Sequence, residues 1–133
     1  MGDEPSIAVV TSGGDSPGMN ACIRSVTRTA LSVGRRVWGV RDGYGGLLKG
    51  RFRPLESRDV GGIIDRGGTV LGTSRSPEFL EAENRKRAYD HLKEKSVAGL
   101  VVIGGNGSLA GAHAAARESG LKVVGVPASI DND

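Results

Sequence analysis

Leu100–Ala112 reads "LVVIGGNGSLAGA". Four apolar residues run into Gly-Gly-Asn-Gly-Ser, and small residues that open a helix follow. A short, branched, apolar run without alternation is a strand covered on both faces. Glycines after it let the chain turn and bring bare amides close to a ligand. A helix that starts there adds unpaired N–H groups and a positive dipole end. Such a junction holds anions. Its centre is a neutral amide, Asn106, where a carboxylate is the familiar choice. Asparagine also tolerates left-handed geometry and bonds its own backbone. The local reading therefore leaves Asn106 as turn former or as ligand, and Ser108 as helix cap or phosphate donor.

The same grammar recurs along the chain. Ser6–Thr11, "SIAVVT", is a buried strand, followed by the small-residue loop "SGGDSPGMN". A helix starts at Met19, since Met19, Cys22, Ile23, Val26, Ala30 and Val33 recur at steps of three and four. Gly34 ends it. Arg36–Val40 is a second strand, and "RDGYGGLLKG" reads as a glycine-rich loop. Val60–Asp65 forms one or two helical turns. "RGGTVLGTSRSPEF" is loop with room for a short strand. Pro77 and Glu78 start a helix that runs to about Lys95. Ala98–Ile103 is the strand before the opening turn, Leu109–Ser119 the helix after it, and Gly120 its stop. Lys122–Val126 is the last strand.

Strands alternating with helices predict an α/β fold: a parallel sheet with flanking helices in three Rossmann-like layers. Ligands of such sheets bind at the carboxyl ends of the strands. The loops after Thr11, Val40, Ile103 and Val126 are therefore expected to converge on one crevice.

Bulk properties narrow the partners. The chain of 133 residues has the size of one domain, 38% hydrophobic and 25% charged. Its 22 glycines are clustered without a period, which excludes collagen and low-complexity readings. The net charge is +3, and arginine outnumbers lysine. The planar guanidinium suits phosphorylated partners, although any single arginine also serves a solvated surface. One Trp, two Tyr and two Phe are too few for base-stacking platforms, so nucleic acid is not an expected partner. No apolar run approaches 18 residues, and no membrane partner is expected. The single cysteine, Cys22, forms no internal disulfide and is read as buried and inert. A reducing, cytoplasmic setting follows.

Two further motifs carry chemistry. "TSGGDSPGMNA", Thr11–Ala21, is neither G-x-G-x-x-G nor a Walker A loop. Its glycine spacing alone does not separate a phosphate cradle from a turn that needs positive φ. "VPASIDND" places Asp131 and Asp133 two apart after a strand, on opposite sides if the chain is extended. By itself that segment reads as a solvated loop as readily as a catalytic one.

Together, "TSGGDSPGMNA", "DGYGGL", "RGGTVLGTSRSPEF", "VVIGG-GS" and "VP-(A)SIDND" resemble the 6-phosphofructokinases, in order and spacing, from Ile7 to Asp133. The resemblance implies phosphoryl transfer from ATP, with Mg2+, to the 1-hydroxyl of fructose 6-phosphate, within glycolysis. It implies that Gly14 touches the nucleotide phosphates, Tyr44 lies near the adenine, and Arg75 and Ser76 belong to the cofactor site. By the same resemblance Arg75 would contact the phosphates in transfer, and Gly105, Asn106, Gly107 and Ser108 would wrap the nucleotide. Ser129, Ile130 and Asp131 would face the sugar, with Asp131 taking the hydroxyl proton, and Asn106 and Asp133 would lie at the metal. Arg24 and Arg28 match two arginines of an effector site, although their partner arginine falls at Ser57, next to Arg58, and an accompanying aspartate at Gly62. An exposed helical face explains the pair equally well. A homo-oligomer, dimer or tetramer, is implied for the full-length form.

Within this resemblance, Gly107 and Ala128 bear on the phosphoryl donor. Pyrophosphate-using relatives tend to carry a bulky or charged residue at the first and a lysine at the second. Both are small here, which leaves room for a nucleoside and favours ATP over pyrophosphate. A noncatalytic, nucleotide-binding homologue is the rival of another class. The NAD-kinase group shares a Gly-Gly-x-Gly turn but not "TSGGDSPGMN" or "SIDND".

The sequence departs from the family pattern at three points. Ser129 replaces a threonine and keeps the hydroxyl. The chain stops at Asp133, so residues 1–133 are expected to be a nucleotide-binding N-terminal lobe without its sugar-phosphate lobe, weak or inactive alone. Asn106 replaces an aspartate used at the metal. A carboxylate about 5 Å from a phosphate charge costs about 3 kcal/mol at an effective dielectric near 20. A helix end returns at most about 2 kcal/mol. An aspartate there makes sense mainly with magnesium between it and the phosphates. Asn106 avoids the repulsion and offers the metal only a neutral oxygen.

Overall fold

In the computed structural model, residues 5–13, 18–65, 68–74 and 76–128 are described. β1 (Ser6–Ser12) lies at the centre of a five-stranded sheet. β2 (Arg36–Val40) flanks it on one side and β4 (Val97–Gly104) on the other, both parallel to it. β5 (Lys122–Pro127) continues in parallel beyond β4. β3 (Phe52–Leu55) closes the other edge antiparallel to β2, with Pro54 opposite Trp38. The order is β3-β2-β1-β4-β5. The four strands expected from the sequence are parallel, and β3, which was not among them, runs antiparallel and makes the sheet mixed. Four residues that include a proline carry little strand signal, and proline is tolerated because β3 is an edge strand.

Alternation along the strands feeds two separate cores. Ala8, Val10, Leu100 and Val102 point to one face, under α2 (Gly43–Lys49), α3 (Ala82–Glu94) and α4 (Asn106–Ser119). Val9 and Ile103 point to the other, under α1 (Met19–Ser32) and the 3-10 turns Ser57–Val60 and Ile63–Asp65. Helix α1 meets the sheet through Met19, Ile23 and Ala30, as its spacing predicts. Cys22 is half-buried there, and burial pushes its thiol up from the ordinary value.

Two expectations about local structure are corrected. "DGYGGLLKG" is not a loop but contains α2. Its glycines are poor helix formers, yet the folded chain leaves no room for a Cβ at two of them. A Cβ on Gly46 would fall on the carbonyl oxygen of Arg41, and one on Gly45 would lie 2.8 Å from Ser74 Oγ. Tyr44 and Leu47, buried at i and i+3, anchor the helix to the core. The single helix expected from Pro77 to Lys95 is broken at Glu81, whose φ of −97° and ψ of 130° separate a 3-10 turn, Pro77–Leu80, from α3. The break turns Phe79 into the core against Tyr44. Asn84 Nδ2 and Arg85 Nη1 then donate to the carbonyls of Glu78 and Phe79 at 2.9 Å.

Candidate functional site

The chain leaves β1 toward α1 and β2 on one side, and later returns through β4 to α4 and β5 on the other. The switch point of the sheet thus lies between β1 and β4, where an open α/β sheet binds its ligands. There the backbones come close. A Cβ on Gly104 would lie 2.5 Å from the Ser12 carbonyl oxygen and 2.6 Å from Ser108 Oγ. Gly13, at φ +85°, faces the same hydroxyl, which a Cβ would approach to 3.3 Å. Only glycine fits Gly104, and the positive φ favours it at Gly13.

Above this junction opens a cavity of about 680 Å³. At its polar end lie Ser12, Gly13, Gly105, Gly107 and Ser108. No side chain caps α4; its first full helical bond runs from the Leu109 N–H to the Gly105 carbonyl at 3.0 Å. The N–H groups of the turn before it are the ones a helix leaves for an anion. The other end is apolar. Pro77, Phe79 and Leu80 form one wall, and Ala110, Gly111 and Ala114 of α4 form the other. A phosphate end joined to an apolar slot suits a nucleotide in both size and chemistry.

Tyr44 forms part of the cavity lining between the walls. Its hydroxyl donates to the Ser108 carbonyl at 2.5 Å. Its ring stacks on Phe79 at 4.0 Å, 3° from parallel. Burial, and secondarily Tyr89, raises its pKa well above that of an ordinary phenol, so it stays a donor. At the outer end, Arg85 lies under the slot. Its Nε and Nη2 donate to both oxygens of Glu118, at 2.8 and 2.7 Å. The Tyr89 hydroxyl donates to Glu118 Oε1 at 2.6 Å. The two bonds from Arg85, then the one from Tyr89, hold the Glu118 carboxyl down to about 2.

The Thr69–Ser74 loop is stitched to the edge of this site. Thr11 Oγ1 donates to the Gly72 carbonyl at 2.9 Å, and Asn20 Oδ1 accepts from the Val70 N–H at 2.7 Å. Ser74 Oγ donates to the Asp42 carbonyl at 2.6 Å and lies 3.1 Å from Ser76 Oγ.

The cavity brings together five of the residues expected at the nucleotide: Tyr44, Ser76, Gly105, Gly107 and Ser108. Ala128 lines it too, its N–H held by the Gly104 carbonyl at 2.9 Å. Asn106 is exposed at the start of α4 and does not line the cavity. Gly14, Arg75, Ser129, Ile130, Asp131 and Asp133 lie outside the described residues. Arg24 is half-buried and Arg28 exposed on α1, away from this cavity. Helix α1 packs against the Ser57–Val60 turn, where Arg58 pairs with Glu56 at 3.4 Å. Among the described residues no group of three or more His, Cys, Asp or Glu is assembled as a metal site. The amide of Asn106 is a weak donor for Mg2+, which prefers carboxylate and phosphate oxygens. These residues thus fit a phosphate chain better than a protein-held metal. No helix among the described residues is long and apolar enough to cross a membrane.

The sequence reading missed Phe79, Leu80, Arg85 and the small face of α4. That face had a signal: Gly107, Ala110, Gly111 and Ala114 recur at i, i+3, i+4 and i+7.

The phosphofructokinase family model matches residues 6–133. The chain belongs to the phosphofructokinase family. Similar relatives are the ATP-dependent 6-phosphofructokinases of Aquifex aeolicus, 52% identical over 127 residues, and of Thermotoga neapolitana, 55% identical over 127 residues. Each alignment covers 96% of this chain and 40% of the relative. The chain thus spans about two-fifths of the length of these curated relatives. Among solved structures, the T-state phosphofructokinase of Pichia pastoris superposes with a TM-score of 0.90 at 39% identity. That match covers 97% of this chain and 16% of the other. A pyrophosphate-dependent phosphofructokinase from Nitrosospira multiformis shares the fold, with a TM-score of 0.86 at 18% identity, over 98% of this chain and 35% of its own.

Proposed function

We propose that this phosphofructokinase chain is the nucleotide-binding lobe of an enzyme that moves the terminal phosphoryl group of ATP to the 1-hydroxyl of fructose 6-phosphate. The products are ADP and fructose 1,6-bisphosphate. One observation carries the reading: the cavity joins the bare glycine turn before α4 to an apolar slot, at the switch point between β1 and β4. Phosphoryl transfer needs positioning and charge neutralisation more than covalent help, and a helix N-terminus lined by glycine supplies both.

In this reading the Gly105–Ser108 turn and Gly14 hold the phosphates, and Arg75, beside Ser76, spreads its guanidinium over the oxygens in transfer. Ser129 and Ile130 place the sugar. Asp131 accepts the proton of the attacking hydroxyl as its oxygen bonds to phosphorus and ADP leaves. Asp133 and the Asn106 amide lie in the metal region, where Mg2+ bound with the triphosphate would supply charge neutralisation. A second lobe beyond residue 133 completes the sugar-phosphate site. The working enzyme is a cytoplasmic homo-oligomer, and Arg24 and Arg28 belong to an effector site on α1.

ATP is favoured over pyrophosphate as donor on two grounds. Gly107 and Ala128 both line the cavity and keep it open, and a Cβ on Gly107 would meet nothing within 4 Å. The relatives named as ATP-dependent are 52–55% identical, whereas the structures named as pyrophosphate-dependent share 22% and 18%. The second reading, a noncatalytic nucleotide-binding homologue, is favoured by Asn106 alone. A coupled assay of the whole protein with fructose 6-phosphate and either ATP or pyrophosphate separates the readings. ATP-dependent turnover is expected, and Asp131→Ala lowers it about 10²-fold or more. Turnover with pyrophosphate only, or an Asp131→Ala enzyme within a few-fold of wild type, overturns the assignment. Nucleotide binding without turnover supports the second reading.

A further inference from the structure

The apolar slot has two walls that belong to different elements and share little backbone. One wall is the 3-10 turn Pro77–Leu80, bounded by bonds from the Phe79 N–H to the Ser76 carbonyl and from the Glu81 N–H to the Glu78 carbonyl. Leu80 within it is 81% exposed. The other wall is the small face of α4, at Ala110, Gly111 and Ala114. At the inner end, the Tyr44–Phe79 stack and the Tyr44–Ser108 bond tie the two together. At the outer end, the connection is the Arg85 guanidinium. Its Nη1 donates to the Phe79 carbonyl at 2.9 Å, and its Nε and Nη2 clasp Glu118 on α4. All three nitrogens of the planar fork are engaged, so position and orientation are both fixed. The Arg85 side chain is only 13% exposed.

We propose that Glu118 is a positioning residue for the nucleotide base: by pinning Arg85, it holds the Pro77–Leu80 wall at a set distance from the Ala110–Ala114 face, and so sets the width of the slot. The inference rests on the nucleotide reading above and deepens it. Glu118 touches no ligand; it acts through Arg85 and the Phe79 carbonyl. Among the described residues the clasp makes no hydrogen bond of its own to the glycine turn at the phosphate end. The clasp therefore governs the part of the affinity that comes from the base and leaves the part from the phosphates alone.

Calorimetric titration of the full chain with ATP and with tripolyphosphate, both in Mg2+, tests this division. Tripolyphosphate has the charged chain without the nucleoside. Glu118→Gln and Arg85→Lys are expected to weaken ATP binding at least fivefold while changing tripolyphosphate binding less than twofold. Unchanged ATP affinity in both variants overturns the proposal, as does a parallel loss for both ligands, which is what a merely structural role produces. A second measurement uses the unaltered chain. Backbone hydrogen exchange over Pro77–Leu80 is expected to slow with ATP and not with tripolyphosphate, and equal protection by the two overturns the proposal without any variant. If the unaltered chain binds neither ligand, the nucleotide reading falls and takes the clasp with it. If it binds both, and the variants bind ATP as before, only the clasp falls.

Discussion

The Tyr44 hydroxyl donates to the Ser108 carbonyl across 64 residues of sequence, at 2.5 Å. It ties α2, built from a glycine-rich stretch, to the first turn of α4, where the candidate phosphate site lies. The carbonyl also keeps its helical partner, so Tyr44→Phe removes a bond without stranding a buried acceptor. The loss is expected to be about 1 kcal/mol, near 4 °C in the unfolding midpoint. Tyr44→Ala also removes the stack on Phe79 and leaves a cavity, at about 3–5 kcal/mol. Thermal or urea unfolding of the two variants checks the difference. Equal losses would mean that the stack contributes nothing.

Two glycines of α4 separate stability from binding. A Cβ on Gly111 would sit 2.9 Å from the Tyr44 ring, which cannot retreat from Phe79. Gly111→Ala is expected to destabilise by about 1–3 kcal/mol, against a helix-propensity gain of about 1 kcal/mol. Gly107 is exposed and open, so Gly107→Ala is expected to leave the midpoint unchanged or slightly higher. The new methyl stands at the phosphate end, and ATP affinity should fall at least several-fold. A Gly107→Ala chain that binds ATP unchanged would remove this turn from the nucleotide site.

What was readable in the sequence follows from how local each cause is. β1, β2, β4 and β5 announce themselves as apolar runs, and the glycine turn after β4 announces the anion site, because strand, turn and helix are contiguous. α2 was hidden because glycines are poor helix formers, and the atoms that leave no room for a Cβ, the Arg41 carbonyl oxygen at Gly46 and the Ser74 hydroxyl at Gly45, take their places only in the folded chain. The break at Glu81 was hidden for the same reason, since Phe79 leaves the helical path to reach Tyr44. Arg85 and Glu118 stand 33 residues apart on two helices, and no periodicity links them. The Pro77–Leu80 wall and its clasp are thus tertiary products, while the glycine turn and the small face of α4 are written in the sequence.

The clasp also gives acid sensitivity a definite sign. The Glu118 carboxyl is held at about 2 in the folded chain, by Arg85 first and Tyr89 second, against an ordinary value of 4.5. As pH falls, the unfolded chain takes up this proton before the folded one. The contribution is therefore complete above about 4.5 and lost as pH falls toward about 2. Glu118→Gln is expected to flatten that part of the stability profile and to leave the profile above pH 5 parallel to wild type. Urea midpoints measured from pH 2.5 to 7 check it, and superimposable acid limbs would remove Glu118 as their source.

Asn106 supplies the last test. It opens α4, exposed, behind the extended Gly105, where a carboxylate gains about 0.3–1 kcal/mol from the helix dipole. Asn106→Asp is therefore expected to raise the unfolding midpoint slightly in the absence of ligand. Toward ATP the effect reverses unless a cation intervenes, because a carboxylate about 5 Å from a phosphate charge costs about 3 kcal/mol at an effective dielectric near 20. The variant should bind ATP more weakly than the Asn106 chain without Mg2+, and regain or exceed its affinity when Mg2+ is saturating. The Asn106 chain, with only a neutral oxygen to offer, should show the shallower Mg2+ dependence. Titrations of both chains with ATP across a Mg2+ series measure the two slopes. Equal slopes would mean that position 106 lies too far from the phosphates to sense either their charge or the metal, and that the glycines around it, rather than its side chain, are what the turn contributes.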